Sequence, residues 1–131
     1  MLYIKQIIQN ILIIEDEQTA RRIIQHALSH KFPDFISATV VISFAKTIEE
    51  AQQLIADGGP FDMITLDGNI VNKTALDLFP ILEEHGYLSK VIMLPGTPSE
   101  WKEACDKKGI PILPKMEIET IPPNQLFQMA A

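Results

Sequence analysis

The chain has 131 residues, of which 47% are hydrophobic, and its formal net charge is −6. A chain of this length has enough residues to bury the core of one domain and too few for a second. The negative charge argues against nucleic acid or an anionic membrane as the main partner, because both would repel the protein. We expect a cationic ligand, a metal or a basic protein surface instead.

The cysteine content and the N-terminus bear on the compartment. Cys105 is the single cysteine and cannot form a disulfide within the chain, so a cytoplasmic location and a packed, unreactive thiol are expected. The first ten residues, MLYIKQIIQN, are interrupted by polar side chains and lack a cleavage site of small residues. We interpret residues 1–10 as an N-terminal extension and residues 11–131 as the domain. No segment has the roughly 18 unbroken apolar residues of a membrane span.

Five short apolar runs along the chain predict β-strands. They are ILII (11–14), TVVISFA (39–45), FDMITLD (61–67), KVIML (90–94) and IPIL (110–113). Helical segments separate the runs, and parallel neighbouring strands need such crossovers, which then cover both faces of the sheet. The order of elements predicts an α/β fold with a doubly wound, five-stranded parallel sheet.

Capping residues predict where the helices begin and end. The first helix has apolar residues at helical spacing from Ala20 to Leu28. The second begins at the capping box Thr47–Glu50 and ends at Gly58, the third has Thr74 as its cap and a kink at Pro80, and the fourth begins at the capping box Thr97–Glu100 and ends at Gly109. Two prolines at 122–123 predict that a final helix is truncated.

Charged side chains follow three of the predicted strands. Glu15, Asp16 and Glu17 come after the first strand, Asp67 ends the third, and Lys115 follows the fifth. Because ligands of open parallel sheets bind beyond the carboxyl ends of the strands, we expect these side chains to share one site. Carboxylates so close repel one another unless a cation lies between them, and oxygen ligands suit Mg²⁺.

The residues after Asp67 fit the same chemistry. Gly68 allows close approach of the backbone, and the carbonyl of Asn69 is a further candidate metal ligand. An aspartate oxygen beside such a metal can act as a nucleophile toward a phosphoryl group, while Lys115 pairs with the incoming oxygens.

In order and spacing, residues 11–115 resemble the receiver domain of two-component response regulators. ILIIEDE is similar to that family's first strand with its acidic pair, FDMITLD to the third strand ending on the phosphorylated aspartate, and the lysine of ILPK to the fifth-strand lysine. The resemblance implies a flavodoxin-like sheet with strand order 2-1-3-4-5. It also implies the site: Asp67 as phospho-acceptor, Asp16 as main metal ligand, Glu15 as its partner acid, the Asn69 backbone as a further ligand, and Lys115 as the phosphate contact.

The resemblance also implies a function. A single-domain response regulator would accept a phosphoryl group on Asp67 from a histidine kinase or a histidine phosphotransfer protein, with Mg²⁺ as cofactor. It would signal through contact with a downstream protein and would not be an enzyme, apart from catalysing its own phosphorylation and dephosphorylation. No nucleic acid or membrane partner is expected, and a homodimer is one expected assembly.

Two positions that usually relay the signal in receivers are altered here. Pro95 replaces a serine or threonine and has neither a hydroxyl nor an N–H, and Ile112 replaces an aromatic residue. Thr97 lies two residues after Pro95, roughly 6.5 Å further if the chain is extended. We expect the Thr97 hydroxyl to cap the fourth helix rather than to substitute for the missing one.

Two other functions are compatible with the sequence. A degenerate receiver would keep the carboxylate pocket but act as an interaction module independent of phosphorylation, which the changes at Pro95 and Ile112 favour. A small Mg²⁺-dependent aspartyl phosphatase would use Asp67 as a transient nucleophile. Haloacid-dehalogenase-type enzymes place that aspartate after the first strand with another aspartate two residues later, where this chain has Asn69, so this alternative ranks last.

Overall fold

The computed structural model describes residues 8–30, 36–70, 73–122, 125–126 and 129. In this part of the chain the strands are β1 (Ile8–Ile14), β2 (Ile36–Ala45), β3 (Met63–Leu66), β4 (Asn69–Ile70), β5 (Lys73–Thr74) and β6 (Val91–Met93). The α-helices are α1 (Gln18–His30), α2 (Ile48–Asp57), α3 (Phe79–Glu84) and α4 (Lys102–Lys108). No helix among these residues is long and apolar enough to cross a lipid bilayer.

The main sheet has the order β2-β1-β3-β6, and all of its pairs are parallel. The register aligns the ends of the four strands, because Ile14 pairs with both Ala45 and Leu66, and Leu66 pairs with Met93. The predicted doubly wound, flavodoxin-like order is therefore confirmed for four strands. The residues that follow these four positions all emerge at one edge of the sheet.

The predicted fifth strand is reduced to a single bridge. Ile112 pairs in parallel with Met93, whose N–H donates to the carbonyl of Pro111 at 2.9 Å and whose carbonyl accepts from the N–H of Leu113 at 2.9 Å. The segment thus lies beside β6 in the predicted place. It does not extend the ladder, since Pro111 has no N–H to donate.

Helices and their core cover both faces of the sheet. Alternate residues of β1 point to opposite faces: Leu12 and Ile14 pack in a core with α2, α3 and α4, whereas Ile11 and Ile13 pack against α1. Cys105 of α4 is fully buried in the first of these cores. The expectation of a packed thiol is therefore confirmed.

Two of the predicted helices begin after the predicted cap residue, but they begin as 3-10 turns and without the predicted side-chain capping bond. Thr74 makes no side-chain capping bond, and the third helix begins as a 3-10 turn over Ala75–Asp77 before α3 starts at Phe79. Proline cannot donate to a preceding carbonyl, so Pro80 sits in the first turn of a new helix instead of kinking a long one.

The fourth predicted helix is also divided. A 3-10 turn covers Pro98–Glu100, Trp101 stands at the junction, and α4 follows. The side chain of Thr97 makes no capping bond, so its predicted capping role is wrong. The predicted stop is confirmed, because Gly109 adopts the left-handed conformation, with φ of 69°, at the end of α4. The predicted cap of α2 forms, because the N–H of Glu50 donates to the hydroxyl oxygen of Thr47 at 3.0 Å.

The two ends of the chain are only partly described. β1 begins at Ile8, so residues 8–10 of the proposed extension lengthen the first strand, and the Asp62 carboxylate accepts the N–H groups of Gln9 and Asn10 at 2.8 and 3.0 Å. The prediction for residues 1–7 lies outside the described residues. The truncated final helix lies largely outside them too, with a 3-10 turn over Lys115–Glu119 as the last continuous helical element.

Candidate functional site

Three carboxylates meet at the carboxyl edge of the sheet. Glu15, Asp16 and Asp67 each offer an oxygen, and these atoms all lie within 4.8 Å of one another. Backbone bonds fix two of them: the N–H of Glu15 donates to Ala45 and that of Asp67 to Ile14, both at 3.0 Å. Glu15 is 1% exposed and Asp67 is 7% exposed, so two acids are held close together with little solvent.

Lys115 joins the acids from the far end of the chain. Its Nζ lies 3.2 Å from Glu15 Oε2 and 3.4 Å from Asp67 Oδ1. The N–H of Lys115 donates to the carbonyl of Pro95 at 3.3 Å, which fixes the backbone that carries this side chain. The structure therefore brings together the predicted acid pair, the predicted acceptor and the predicted lysine.

The electrostatics of the cluster favour protons or cations over bare carboxylates. Burial raises the pKa of Glu15 to about 7, and the nearby Asp67 adds to this effect while Lys115 opposes it. Burial also raises the pKa of Asp67, against the opposing effects of Lys115 and of the Gly68 N–H. Burial disfavours charge on Lys115, yet Asp67 and Glu15 together raise its pKa. The negative charge at this site thus exceeds what one lysine offsets.

The donor set fits a hard divalent cation. Glu15, Asp16 and Asp67 supply oxygen atoms only, and their mutual repulsion would be relieved by a cation between them. Asn69 lies in β4 at the rim of the same site, which is compatible with a contribution from its carbonyl. The individual ligand roles of these residues stay predictions.

A cavity of about 720 Å³ opens over the cluster. It is lined by Asp16, Glu17, Asp67, Asn69, Ile70, Lys73, Thr74, Gly96, Thr97 and Lys115. Part of its wall is the antiparallel hairpin of β4 and β5, in which Asn69 pairs with Thr74 and Ile70 with Lys73. Lys73 forms an ion pair with Glu49 of α2. A phosphoryl group bound at Asp67 would therefore meet polar side chains from several segments.

Sequence reasoning missed three residues of this neighbourhood. Lys73 lies on a strand of two residues, which is too short for any periodic pattern, and Thr97 was assigned to a cap. Arg21 donates from Nη1 to the carbonyls of Glu15 and Asp16, at 3.0 and 2.9 Å, and so fixes the turn that carries both acids. Its position six residues after Glu15, one turn into α1, is the only signal that the sequence offers for it.

The two altered relay positions, Pro95 and Ile112, lie after β6 and beside it, as the resemblance predicts. Pro95 is buried just after β6, and its carbonyl contacts the backbone of Lys115. Ile112 is half-buried beside Met93 and packs against the core shared with α2, α3 and α4. Neither side chain has a polar group to offer the site. Glu17, by contrast, is exposed, and its N–H donates to Glu15 Oε1 at 3.3 Å.

No protein-family model and no curated protein match the chain. Solved structures do. A response regulator from Burkholderia pseudomallei, with a phosphorylated aspartic acid, a calcium ion and citrate, superimposes with a TM-score of 0.66 at 18% identity, covering 94% of this chain and 66% of that one. The chemotaxis protein CheY4 of Vibrio cholerae gives 0.66 at 20% identity, covering 92% and 94%. The receiver domain of a Francisella response regulator gives 0.66 at 20%, covering 93% of each chain.

These similarities define the class of fold. The neighbours are response regulators and receiver domains, and the strand order of this chain agrees with the flavodoxin-like order predicted for it. The chain therefore has the receiver fold of response regulators.

Proposed function

We propose that the protein is a phospho-acceptor in two-component signalling, with Asp67 as the acceptor. The observation that carries this proposal is the position of Lys115 Nζ, 3.4 Å from Asp67 Oδ1 and 3.2 Å from Glu15 Oε2, at the mouth of an open cavity. A buried acid with a lysine on one oxygen is arranged for attack on an incoming phosphoryl group. The donor would be a histidine kinase or a histidine phosphotransfer protein.

The transfer is an in-line displacement at phosphorus. An Asp67 carboxylate oxygen forms a bond to phosphorus as the bond between phosphorus and the donor's imidazole nitrogen breaks. The electron pair of the broken bond stays on the imidazole, which takes up a proton from solvent. Lys115 stabilises the charge on the transferred phosphoryl oxygens, and the Gly68 N–H, 2.8 Å from Asp67 Oδ1, orients the carboxylate.

Glu15, Asp16 and Asp67, with the Asn69 carbonyl, would hold Mg²⁺ at this site. When bound, such an ion supplies positive charge to the phosphoryl oxygens. A site made of these three carboxylates would prefer cations that bind oxygen, since the described cluster contains no sulfur or imidazole donor.

Output would pass through contact with a downstream protein. The protein would not be an enzyme toward other substrates, because the acceptor is its own aspartate. Transfer from a kinase places it in the cytoplasm, and a buried, unpaired Cys105 is compatible with that reducing compartment. A homodimer is one assembly compatible with this function.

The second candidate is a receiver fold used as an interaction module that does not depend on phosphorylation. Pro95 and Ile112 favour it, because neither can make the contacts that usually relay a signal from the site. This candidate predicts equal affinity of a partner for the phosphorylated and unmodified protein. A difference in affinity measured by titration calorimetry would reject it.

Intact-mass spectrometry tests the proposal directly. The protein is incubated with acetyl phosphate and Mg²⁺, together with Asp67→Asn and with Asp57→Asn, a matched change at an exposed aspartate of α2. We expect a gain of about 80 Da in the wild type and in Asp57→Asn. Asp67→Asn should show none. Labelling of Asp67→Asn, or no labelling of the wild type, would contradict the proposal.

A further inference from the structure

The indole of Trp101 covers the backbone of the residue next to the acceptor. A β-carbon built on Gly68 would fall 2.3 Å from Trp101 Nε1 and 2.6 Å from its Cε2, far inside van der Waals contact. The edge of the ring therefore occupies the space in which a side chain at position 68 would begin. Trp101 is only 6% exposed, so the core holds the ring against Gly68.

Gly68 is also tied to the acceptor carboxylate. Its N–H donates to Asp67 Oδ1 at 2.8 Å, and its carbonyl accepts from the N–H of Ala75 at 2.9 Å. Conversion of the Asp67 carboxylate to an acyl phosphate removes its negative charge from these oxygens, which weakens the bond from Gly68. Since interiors are close-packed, a displacement of Gly68 has to be taken up by the ring that touches it.

Trp101 connects this contact to α4. The backbone N–H of Trp101 donates to the carbonyl of Pro98 at 3.0 Å, and the backbone carbonyl of Trp101 accepts from the N–H of Cys105 at 3.0 Å, the first bond into α4. The link back to β6 is loosely packed by comparison, because Gly96 and Thr97 are exposed and a β-carbon on Gly96 would touch nothing within 4 Å. The first turn of α4 is thus held to the core through Trp101 more than through the preceding loop.

The outer face of α4 is charged and exposed. Lys102 pairs with Asp106 at 3.0 Å and Lys107 with Glu103 at 3.4 Å, all four in solvent. A shift of the ring that tilts the first turn would reposition these charges relative to the rest of the surface. A partner with complementary charge would detect that change.

We infer that Trp101 couples the chemical state of Asp67 to the position of α4. This inference rests on the proposed function, since it names how phosphorylation at that site reaches the surface. It assigns to Trp101 a positioning role, because the ring contacts Gly68 and not the reacting atoms. It also explains how a signal could leave the site although Ile112 replaces the aromatic residue that usually relays it.

The experiment follows the same sample by three measurements. Trp101 is the only tryptophan, so its fluorescence reports this ring alone. Acetyl phosphate and Mg²⁺ are added while intact mass, tryptophan emission and amide hydrogen exchange of residues 98–108 are recorded. We expect emission and exchange to change in proportion to the mass gain of about 80 Da, and neither to change in Asp67→Asn.

A pair of variants separates coupling from mere packing. Trp101→Leu should be phosphorylated to within about twofold of the wild-type extent, but exchange of α4 should no longer respond. Phe79→Leu, at another buried aromatic residue of the same core, should keep the response. If Trp101→Leu does not fold, a wild-type mass gain without any change in emission or exchange still overturns the inference.

Each outcome has a distinct meaning. A mass gain without any change in emission or exchange would overturn the inference and leave the proposed function in place, as would an undiminished response in Trp101→Leu. No mass gain would reject the proposed function, and the inference with it. Proportional changes in the wild type that disappear in Trp101→Leu would support both.

Discussion

Lys115 and Glu15 are 100 residues apart in the sequence, yet Lys115 Nζ lies 3.2 Å from Glu15 Oε2. The same Nζ lies 3.4 Å from Asp67 Oδ1. One lysine therefore faces two buried carboxylates that the fold has placed side by side, and it offsets only part of their charge. Removal of either kind of charge should change the stability of the protein as well as its chemistry.

Lys115→Met should lower the free energy of unfolding by about 2–3 kcal/mol at pH 8, because two buried carboxylates lose their counter-charge. Urea unfolding followed by circular dichroism measures the effect. Lys108→Met is the matched control, since Lys108 pairs with Glu83 at the surface at 2.9 Å. Its effect should stay below about 1 kcal/mol. Equal effects of the two variants would show that the Lys115 contacts contribute little.

The pKa of Glu15 predicts how stability depends on pH. It is about 7 in the folded protein against an ordinary value of 4.5, because burial and then Asp67 disfavour the charged form. Between pH 4.5 and pH 7, Glu15 keeps its proton in the folded state but has lost it in the unfolded state. The free energy of unfolding therefore falls as the pH rises from 4.5 to 7. With allowance for solvent screening, the free energy of unfolding of the wild type should fall by about 2 kcal/mol more than that of Glu15→Gln between pH 4.5 and pH 7. The free energy of unfolding is measured against pH for both proteins in EDTA, which removes divalent metal. Parallel profiles of the two proteins would contradict the prediction.

Mg²⁺ should stabilise the wild type at pH 7.5, since a ligand that binds only the folded state raises the free energy of unfolding by mass action. At tenfold over its dissociation constant the gain is about 1.4 kcal/mol. Thermal unfolding with and without Mg²⁺ measures it. Asp16→Asn should reduce the gain, whereas Asp57→Asn, far from the cluster on α2, should leave it unchanged. A full gain in Asp16→Asn would remove Asp16 from the ligand set.

Gly68→Ala should destabilise the protein by about 1–3 kcal/mol, because the new methyl group would overlap the indole of Trp101. Gly96→Ala is the control, with open space around its β-carbon and an expected effect within about 0.5 kcal/mol. Chemical unfolding of both variants tests the difference. The double variant Gly68→Ala/Trp101→Leu should lose less stability than the sum of the losses in the two single variants, because the smaller side chain leaves room for the methyl group. Additive losses of stability would argue against direct contact between the two residues.

Thr97 lines the cavity with Asp67 and Lys115, and its hydroxyl is not engaged in a cap. We expect it to donate to a phosphoryl oxygen. A hydrogen bond to a charged group contributes about 1.5–3 kcal/mol, so Thr97→Val should lower the extent of labelling by acetyl phosphate about tenfold. Thr97→Ser should retain most of the labelling. Equal labelling of the valine and serine variants would show that the hydroxyl has no role.

The sequence predicted the sheet well because its strands carry strong local signals. Apolar runs identified β1, β2, β3 and β6, and the parallel order then followed from the helical crossovers. The fifth strand was overestimated because Pro111, which lies within the predicted run IPIL, has no N–H to donate to the neighbouring strand. The caps at Thr74 and Thr97 were predicted from residue type; helical turns do follow both residues, but they are 3-10 turns and neither hydroxyl makes a capping bond.

The sequence predicted which residues form the candidate site but not the contacts between them. The aligned carboxyl ends of parallel strands place Glu15 and Asp67 together in any sheet of this order. The contact of Lys115 with both acids, by contrast, depends on a loop path that no local pattern specifies. The packing of Trp101 on Gly68 is of the same kind, since it joins residues 33 positions apart through side-chain shape alone.

The hairpin of β4 and β5 bears on how long a phosphorylated state of Asp67 would last. It follows directly after Asp67 and forms one wall of the cavity, with Asn69 paired to Thr74 and the N–H of Ala75 bound to Gly68. On the proposed function, an acyl phosphate at Asp67 would be lost by attack of water, and this wall would stand between the acceptor and one side of the solvent. On the proposed function, the lifetime of the phosphorylated state would depend on a segment that carries no acceptor and that is joined to α2 by the ion pair of Lys73 with Glu49, so the duration of a signal could change separately from its formation.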